Sequence, residues 1–275
     1  MAYPSLVASA LLVEYFERVG VSGRVAPDLN TLKLLHAAHV EAIPFENLDI
    51  LLGRGVHLDI DALRDKLIAQ RRGGYCFEQN TLFLTILREL GFTVTAMEAR
   101  VRAGATNLRA RTHMVLVVEL DGEQWLADVG FGGEGLREPV RIAGEAGVSS
   151  SGVSHRVFAE GDLQVLQQRR EAGWEDEYAF LMQPVHPVDF EMANWFTSTH
   201  PQSHFTRTLT AQRITRDARH ILRYPTYFEI RDGAVVSREI TRGGLMPLLR
   251  DVFLIDLPDD TSFPIIDGPV ERALV

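Results

Sequence analysis

"RRGGYCFEQN", residues 71–80, carries the only cysteine of a 275-residue chain, with two glycines before it and a helix-forming run after it. A helix beginning at Cys76 gathers Phe77, Leu84, Leu87 and Leu90 before Gly91 stops it. Upstream, "DIDALRDKLIAQRRGG" at 59–74 reads as another helix: Asp59 or Asp61 caps it, Leu63, Leu67 and Ile68 share a face, and Gly73 and Gly74 end it. Cys76 therefore falls in the first turn of a helix. Unpaired N–H groups and the helix dipole favour a thiolate there and can also hold an oxyanion. A free cysteine is as a rule a small, buried, inert residue. Chemistry at Cys76 needs a base, and the base needs an orienting group.

Both can be counted out of the segment that follows. "FTVTAMEARV" (92–101), "THMVLVVEL" (112–120) and "QWLADV" (124–129) are strand-like, and Asp121-Gly122 between the last two is a hairpin signal. If Asp121 and Gly122 form a two-residue turn, residue 120 faces 123, His113 faces Gly130, and Asp128 faces Val115. His113 and Asp128 are then diagonal neighbours on one face, at roughly 7 to 8 Å between backbones, within reach of a hydrogen bond. A four-residue loop keeps that parity and a three-residue loop destroys it. The runs around them are apolar on both faces, so the histidine and the carboxylate are expected to be partly buried and to need each other. A purely structural His–Asp pair would satisfy the same pattern.

Two more helices precede this region. "LVASALLVEYFERVG" (6–20) repeats Leu12, Tyr15, Phe16 and Val19 before Gly20, and "NTLKLLHAAHVEAIP" (30–44) runs from an Asn30 cap to Pro44. Beyond a Gly/Ser-rich stretch at 144–154, "HRVFAE", "LQVLQQRR" and "WEDEYAFLM" extend an antiparallel β-domain. "ANWFTSTHPQSHF" (193–205) is loop-like, "LTAQRITRDARHILRYPTYFEIRDG" (209–233) suggests strands, and "TRGGLMPLLRDVF" (241–253) suggests a late helix. No internal repeat or low-complexity linker appears.

Composition narrows the classes. At roughly 100 to 200 residues per domain, the length suggests two or three substructures. With 46% hydrophobic and 24% charged residues, the chain is ordinary globular material, so neither long disorder nor a membrane span is expected. The N-terminus lacks a basic region ahead of its apolar run, which argues against a signal peptide. A lone cysteine forms no internal disulfide, so the cytoplasm is the default location. The net charge of -9 disfavours nucleic acid as a partner. Lys33 and Lys66 are the only lysines. Nearly all positive charge is therefore arginine, suited to forked contacts with phosphate or carboxylate.

Other constellations are weaker. His36 and His39, or His200 and His204, lack a second ligand set with metal-site spacing, so no metal is expected. "VGFGGEG" (129–135) follows a strand and suits close approach of backbone to a ligand, but it is neither a P-loop nor a dinucleotide fingerprint. Arginines 207, 213, 216, 219 and 223 form either an anion site or a solvated face.

Taken together and in order, "IPFENLDI", "RRGGYCFEQN", "RTHMVLVV", "LADVGFGG" and "NWFTSTHPQSHF", spread over residues 43–205, resemble the arylamine N-acetyltransferase family, especially its bacterial members. The resemblance implies an α+β, papain-like cysteine-triad fold. Its parts would be an N-terminal helical bundle (1–90) carrying the nucleophile, a central antiparallel β-barrel (91–190) carrying the His and Asp, and a C-terminal α/β lid (191–275). It implies Cys76, His113 and Asp128 as catalytic triad, and Thr112, Phe131, Gly132, Gly133 and Phe205 as coenzyme A contacts, with the glycine turn at the pyrophosphate. Phe45, Tyr75 and Phe131 would wall the acceptor pocket. Acetyl-CoA would be a co-substrate rather than a tightly bound cofactor. Acetyl would pass through the cysteine to an arylamine, arylhydrazine or hydrazide. The alternatives are a related amide synthase acting on a tethered acyl group, a protease or transglutaminase on the same fold, and a binding module without catalysis. Nothing after about residue 206 matches a motif.

Overall fold

Helix α1, Ala10–Val19, starts where Ser9 accepts a hydrogen bond from Leu12 N and ends at Gly20, whose φ of 71° is left-handed. The computed structural model describes residues 9–267 except 24, 134, 145, 146, 149–152 and 259. The first eight residues of the apolar N-terminal run and most of the Gly/Ser-rich stretch at 144–154 lie outside the described residues. Helix α2, Leu29–Ala42, is capped by Asp28, which accepts from Thr31 N, and not by Asn30. The short strand β1, Phe45–Glu46, and helix α3, Leu48–Leu51, follow within a segment that carried no element expectation.

Asp59 caps α4, Ile60–Leu63, which continues as a wider π-helical stretch over Arg64–Ala69. That helix ends before the two glycines, so Gly73 and Gly74 do not terminate it. They serve close packing instead: a Cβ at Gly73 would lie 2.1 Å from the Pro44 carbonyl oxygen, and one at Gly74 would lie 2.7 Å from Glu78 Oε2. Helix α5, Cys76–Glu89, opens directly after them. Arg18 from α1 donates to the Leu67 carbonyl at 2.9 Å and binds the preceding helix to the bundle.

The barrel is one eight-stranded antiparallel sheet. Its strands are β2 (Thr93–Val101), β3 (His113–Leu120), β4 (Glu123–Ala127), β5 (Val140–Arg141), β6 (Gly147–Val148), β7 (Ser154–Glu160), β8 (Leu163–Arg170) and β9 (Gly173–Leu181). Their order is β5-β4-β3-β2-β9-β8-β7-β6, and β5 comes back beside β7, so the sheet curls almost closed. Alternation along β3 divides two cores. Met114, Leu116 and Val118 pack on the helices, while Val115 and Val117 fill the barrel with Leu126, Val157, Leu166 and Phe180.

The chain then forms helix α6, Pro187–Thr199, where a loop was expected from residue 193. Strands β10 (Thr210–Ile214), β11 (Arg219–Arg223), β12 (Thr226–Arg231) and β13 (Ala234–Glu239) make a second antiparallel sheet, with β1 added at its edge through Phe45 opposite Gln212. Helix α7, Arg242–Asp251, and α3 enclose a third core with this sheet, built on Leu48, Leu222, Leu248, Leu249 and Phe253. A last short helix, α8, covers Pro264–Asp267. Among the described residues no helix is long and apolar enough to cross a membrane.

Candidate active site

The hairpin that brings His113 to Asp128 is set by its turn. Asp121 and Gly122 have φ of 51° and 78°, so both central residues are left-handed, as a two-residue type I′ turn requires. Leu120 pairs with Glu123 and Leu116 with Ala127, the register counted from the sequence. One residue further along β4, Asp128 Oδ2 receives His113 Nε2 at 2.7 Å, with both side chains buried. Burial alone favours the neutral imidazole. The Asp128 carboxylate and the adjacent Cys76 sulfur outweigh it and push His113 up to about 10. Burial would likewise raise Asp128, but the His113 charge and hydrogen bond, with those from Asn80 and Gly130, hold it below the usual carboxylate range. Both shifts favour an imidazolium facing a carboxylate.

Cys76 places its sulfur against this imidazolium and 3.8 Å from the Thr112 carbonyl oxygen. The residue is 4% exposed. Its helix is fixed from below: Glu78 accepts from Tyr75 N at 3.0 Å and from Lys66 Nζ at 2.7 Å, while Arg72 reaches Glu46 at 2.6 Å and Asp49 at 3.1 Å. These buried charges tie the start of α5 to β1, α3 and the π-helical stretch. The strand that carries Asp128 is held just as closely. Asn80 donates to Asp128 Oδ1 at 2.9 Å and to the Met114 carbonyl at 2.8 Å, and accepts from Val129 N at 3.1 Å. Gly130 N donates to Asp128 Oδ1 at 2.9 Å. A Cβ on Gly130 would sit 2.6 Å from Cys76 Cα, so only glycine lets the end of β4 cross the helix there.

Sequence reading did not assign roles to Asn80, Gly130, His36 or Tyr178. Asn80 had a signal, since it stands four residues after Cys76 and so on the same helix face. Tyr178 of β9 brings its ring to 4.9 Å from His113 and 5.1 Å from Phe131. Its hydroxyl senses the Asp128 charge but has no hydrogen-bond partner of ordinary geometry among the described residues. No short sequence pattern could announce that contact. His36 and His39 are consumed in the core: His36 accepts from Asp128 N, and His39 Nδ1 meets the Tyr15 hydroxyl at 3.0 Å.

The aromatic residues expected as pocket walls divide: Phe45 and Tyr75 are joined through Phe205, while Phe131 packs on His113 and Tyr178. Tyr75 is fully buried and Phe45 is 6% exposed. Phe205 joins their rings, 5.6 Å from Tyr75 and 6.0 Å from Phe45. The void that Phe45 and Phe131 line with Asp128 and Gly132 measures only about 10 Å³. Tyr75 also donates its hydroxyl to the Asn194 side chain of α6. Gly132 and Gly133 lie against the second sheet: Gly133 N donates to Gln212 Oε1 at 2.5 Å, and its carbonyl accepts from Arg219. His200 and His204 lie near the end of α6 and do not join His36 or His39. Among the described residues no cluster of three or more His, Cys, Asp or Glu could hold a metal ion.

Comparisons with known proteins bear on the family of the whole chain. A family model described as N-acetyltransferase matches residues 28–262. An arylamine N-acetyltransferase of Escherichia coli (strain K12) is 42% identical over 75% of this chain and 74% of its own length. Another, of Mycolicibacterium smegmatis, is 42% identical over 89% of this chain and 92% of its own. The structure of Mycobacterium marinum arylamine N-acetyltransferase in complex with CoA superposes with a TM-score of 0.86 at 35% identity, covering 93% of this chain and 96% of that one. Since the match extends through all three cores, and not merely the cysteine motif, the chain belongs to the arylamine N-acetyltransferase family.

Proposed function

We propose that this enzyme moves an acetyl group from acetyl-CoA to an arylamine, arylhydrazine or hydrazide through an acetyl-cysteine at Cys76. The observation that carries the reading is Cys76 at the start of α5 beside a His113 bonded to Asp128 at 2.7 Å. The sulfur attacks the thioester carbonyl, its proton resting on His113. The bond to the coenzyme A sulfur breaks, and that sulfur leaves with the proton. Exchange between two thioesters is nearly balanced in energy, so the acetyl-cysteine stays reactive toward nitrogen. An amine then attacks it, gives its proton to His113 and leaves as the amide, which makes the cycle ping-pong. Backbone N–H groups at the helix start supply donors for the oxyanion. Asp128 holds the ring in one orientation and stabilises its charge.

The helical part, residues 1–90, would thus supply the nucleophile, the barrel, 91–190, the His–Asp pair, and residues 191–275 a lid over the donor. The void of only about 10 Å³ beside Phe45 and Phe131 implies that the acceptor ring enters only as the side chains around it move apart. Steady-state velocities at varied acetyl-CoA and a simple arylamine test the reading. Parallel double-reciprocal lines are expected, with activity abolished in Cys76→Ala. Intersecting lines, or normal turnover in Cys76→Ala, would sink it. An enzyme that accepts only a tethered acyl chain would show no arylamine-dependent release of coenzyme A.

A further inference from the structure

Gln79 is buried near the start of α5, and its side chain reaches back to the backbone that leads into Cys76. Nε2 donates to the Gly74 carbonyl at 2.7 Å and to the Pro44 carbonyl at 3.3 Å, so both amide hydrogens are spent on backbone. The backbone N–H of Gln79 donates to the Tyr75 carbonyl at 3.0 Å. One residue therefore holds the carbonyls of two successive peptides, Gly74–Tyr75 and Tyr75–Cys76. Glu78 grips the first of them from its other side, where it accepts from Tyr75 N at 3.0 Å. The second carries the N–H of Cys76, which has no partner within the helix.

The amide has one usable orientation, because turned over it would set Oε1 against two carbonyl oxygens. Its oxygen side belongs to His39. Neither Gln79 Oε1 nor His39 Nε2 has a partner of ordinary geometry among the described residues. Burial first, then the His36 and Arg18 charges, hold the His39 ring well below the ordinary histidine range, and the Gln79 amide acts against them as a hydrogen-bonding neighbour. With the Tyr15 hydroxyl donating to Nδ1 at 3.0 Å, the neutral ring carries its proton on Nε2, the nitrogen left for Gln79. A buried line thus runs from α1 through α2 to the turn before the thiol. That turn keeps its place without the amide. The Gly74 carbonyl also accepts from Glu46 N at 3.0 Å, and the Pro44 carbonyl from Gly74 N at 3.3 Å. What the amide adds is a second tether on the Gly74–Tyr75 peptide plane.

We propose that Gln79 is a positioning residue for acyl transfer: by fixing the Gly74–Tyr75 peptide it aims the Cys76 N–H at the oxygen that gains charge when the sulfur adds to the acetyl carbonyl. The proposal rests on the acetyl-cysteine reading above. In that step the S–C bond forms and the C=O electron pair moves onto oxygen, returning as the donor's leaving group departs. A donor aimed at that oxygen acts only while the charge exists. Alkylation by iodoacetamide displaces iodide without forming an oxyanion, so it reports the thiolate alone. Gln79→Met keeps the length and loses the amide, and Gln79→Asn keeps an amide one methylene too short. In both, rapid-mixing acetylation of Cys76 by acetyl-CoA and by p-nitrophenyl acetate should slow by roughly 10- to 100-fold, part of the 10²–10³ that a whole oxyanion donor supplies. The two donors should lose by the same factor, while the alkylation rate and its pH profile stay at wild-type values. Equal slowing of alkylation and acetylation, wild-type acetylation in both variants, or failure of both to fold would overturn the role. A wild type that takes acetyl from neither donor fails the acetyl-cysteine reading instead.

Discussion

The backbone N–H of Asp128 donates to Nε2 of His36, 3.1 Å away, and His36 Nδ1–H donates to the Arg137 carbonyl at 3.0 Å. This arrangement needs a neutral ring with one acceptor and one donor, and burial, the leading cause, drops His36 to about 4. In the unfolded chain the same ring takes a proton near the ordinary 6.5. Between those values the unfolded state binds the extra proton, so His36 costs stability progressively as pH falls from about 6.5 to 4. His36→Gln keeps an acceptor and a donor and removes the titration, whereas His36→Leu orphans the Asp128 N–H at a cost of about 1–3 kcal/mol. Melting temperatures at about pH 6.5 and 4.5 should therefore converge in His36→Gln relative to wild type. His36→Leu should melt lower at both. His39 and His155, also buried and lowered to about 3, remain to give both variants some acid sensitivity. An unchanged pH difference in His36→Gln would remove His36 from the account.

At the scale of elements, the contact between the segment after β4 and the start of α5 is a close joint that sets Cys76 against the His113–Asp128 pair. A methyl group at Gly130 would meet Cys76 Cα at 2.6 Å and Asn80 Nδ2 at 2.8 Å. Neither a helix backbone nor an amide already bonded to Asp128 can give way. Gly130→Ala should lose about 1–3 kcal/mol in urea unfolding and slow iodoacetamide alkylation of Cys76 by separating it from His113. Wild-type stability together with wild-type alkylation would show that the joint is slack. Elements with local signals were legible in the sequence: the Asp59 cap, the start of α5 at Cys76, and the Asp121-Gly122 turn. Helix α6 was not, because its C-terminal turn is rich in residues that elsewhere form loops. Thr197, Ser198 and Thr199 turn their hydroxyls back on the carbonyls of Ala193, Asn194 and Trp195, which satisfies them within the helix. Its true start, Pro187 with Asp189 reaching back to His186 N, lies ahead of the segment read as loop.

Over the whole molecule, legibility followed sequence distance. His113 and Asp128 are separated by one tight turn, so counting residues brings them together. The contacts that enclose the thiol span far more chain: Tyr75 with Asn194, Phe45 with Gln212, Gly133 with Gln212 and Arg219. No periodicity encodes which late strand covers the glycine turn, so its contacts with Gln212 and Arg219 could not be read from the sequence. What these long-range contacts achieve is a single enclosed point where the helical core, the barrel and the second sheet meet at Cys76. The central claim is that this sulfur takes the acetyl group and that the His113–Asp128 pair makes it able to. Peptide mass spectrometry after brief mixing with acetyl-CoA, without an acceptor, measures this directly in the wild type and in Asp128→Asn. The expected result is one acetyl group on the peptide containing Cys76 in the wild type, released on adding an arylamine, and acetylation slower by about 10⁴-fold in Asp128→Asn. An unmodified Cys76 in the wild type, or equal rates of acetylation in the two proteins, would contradict it.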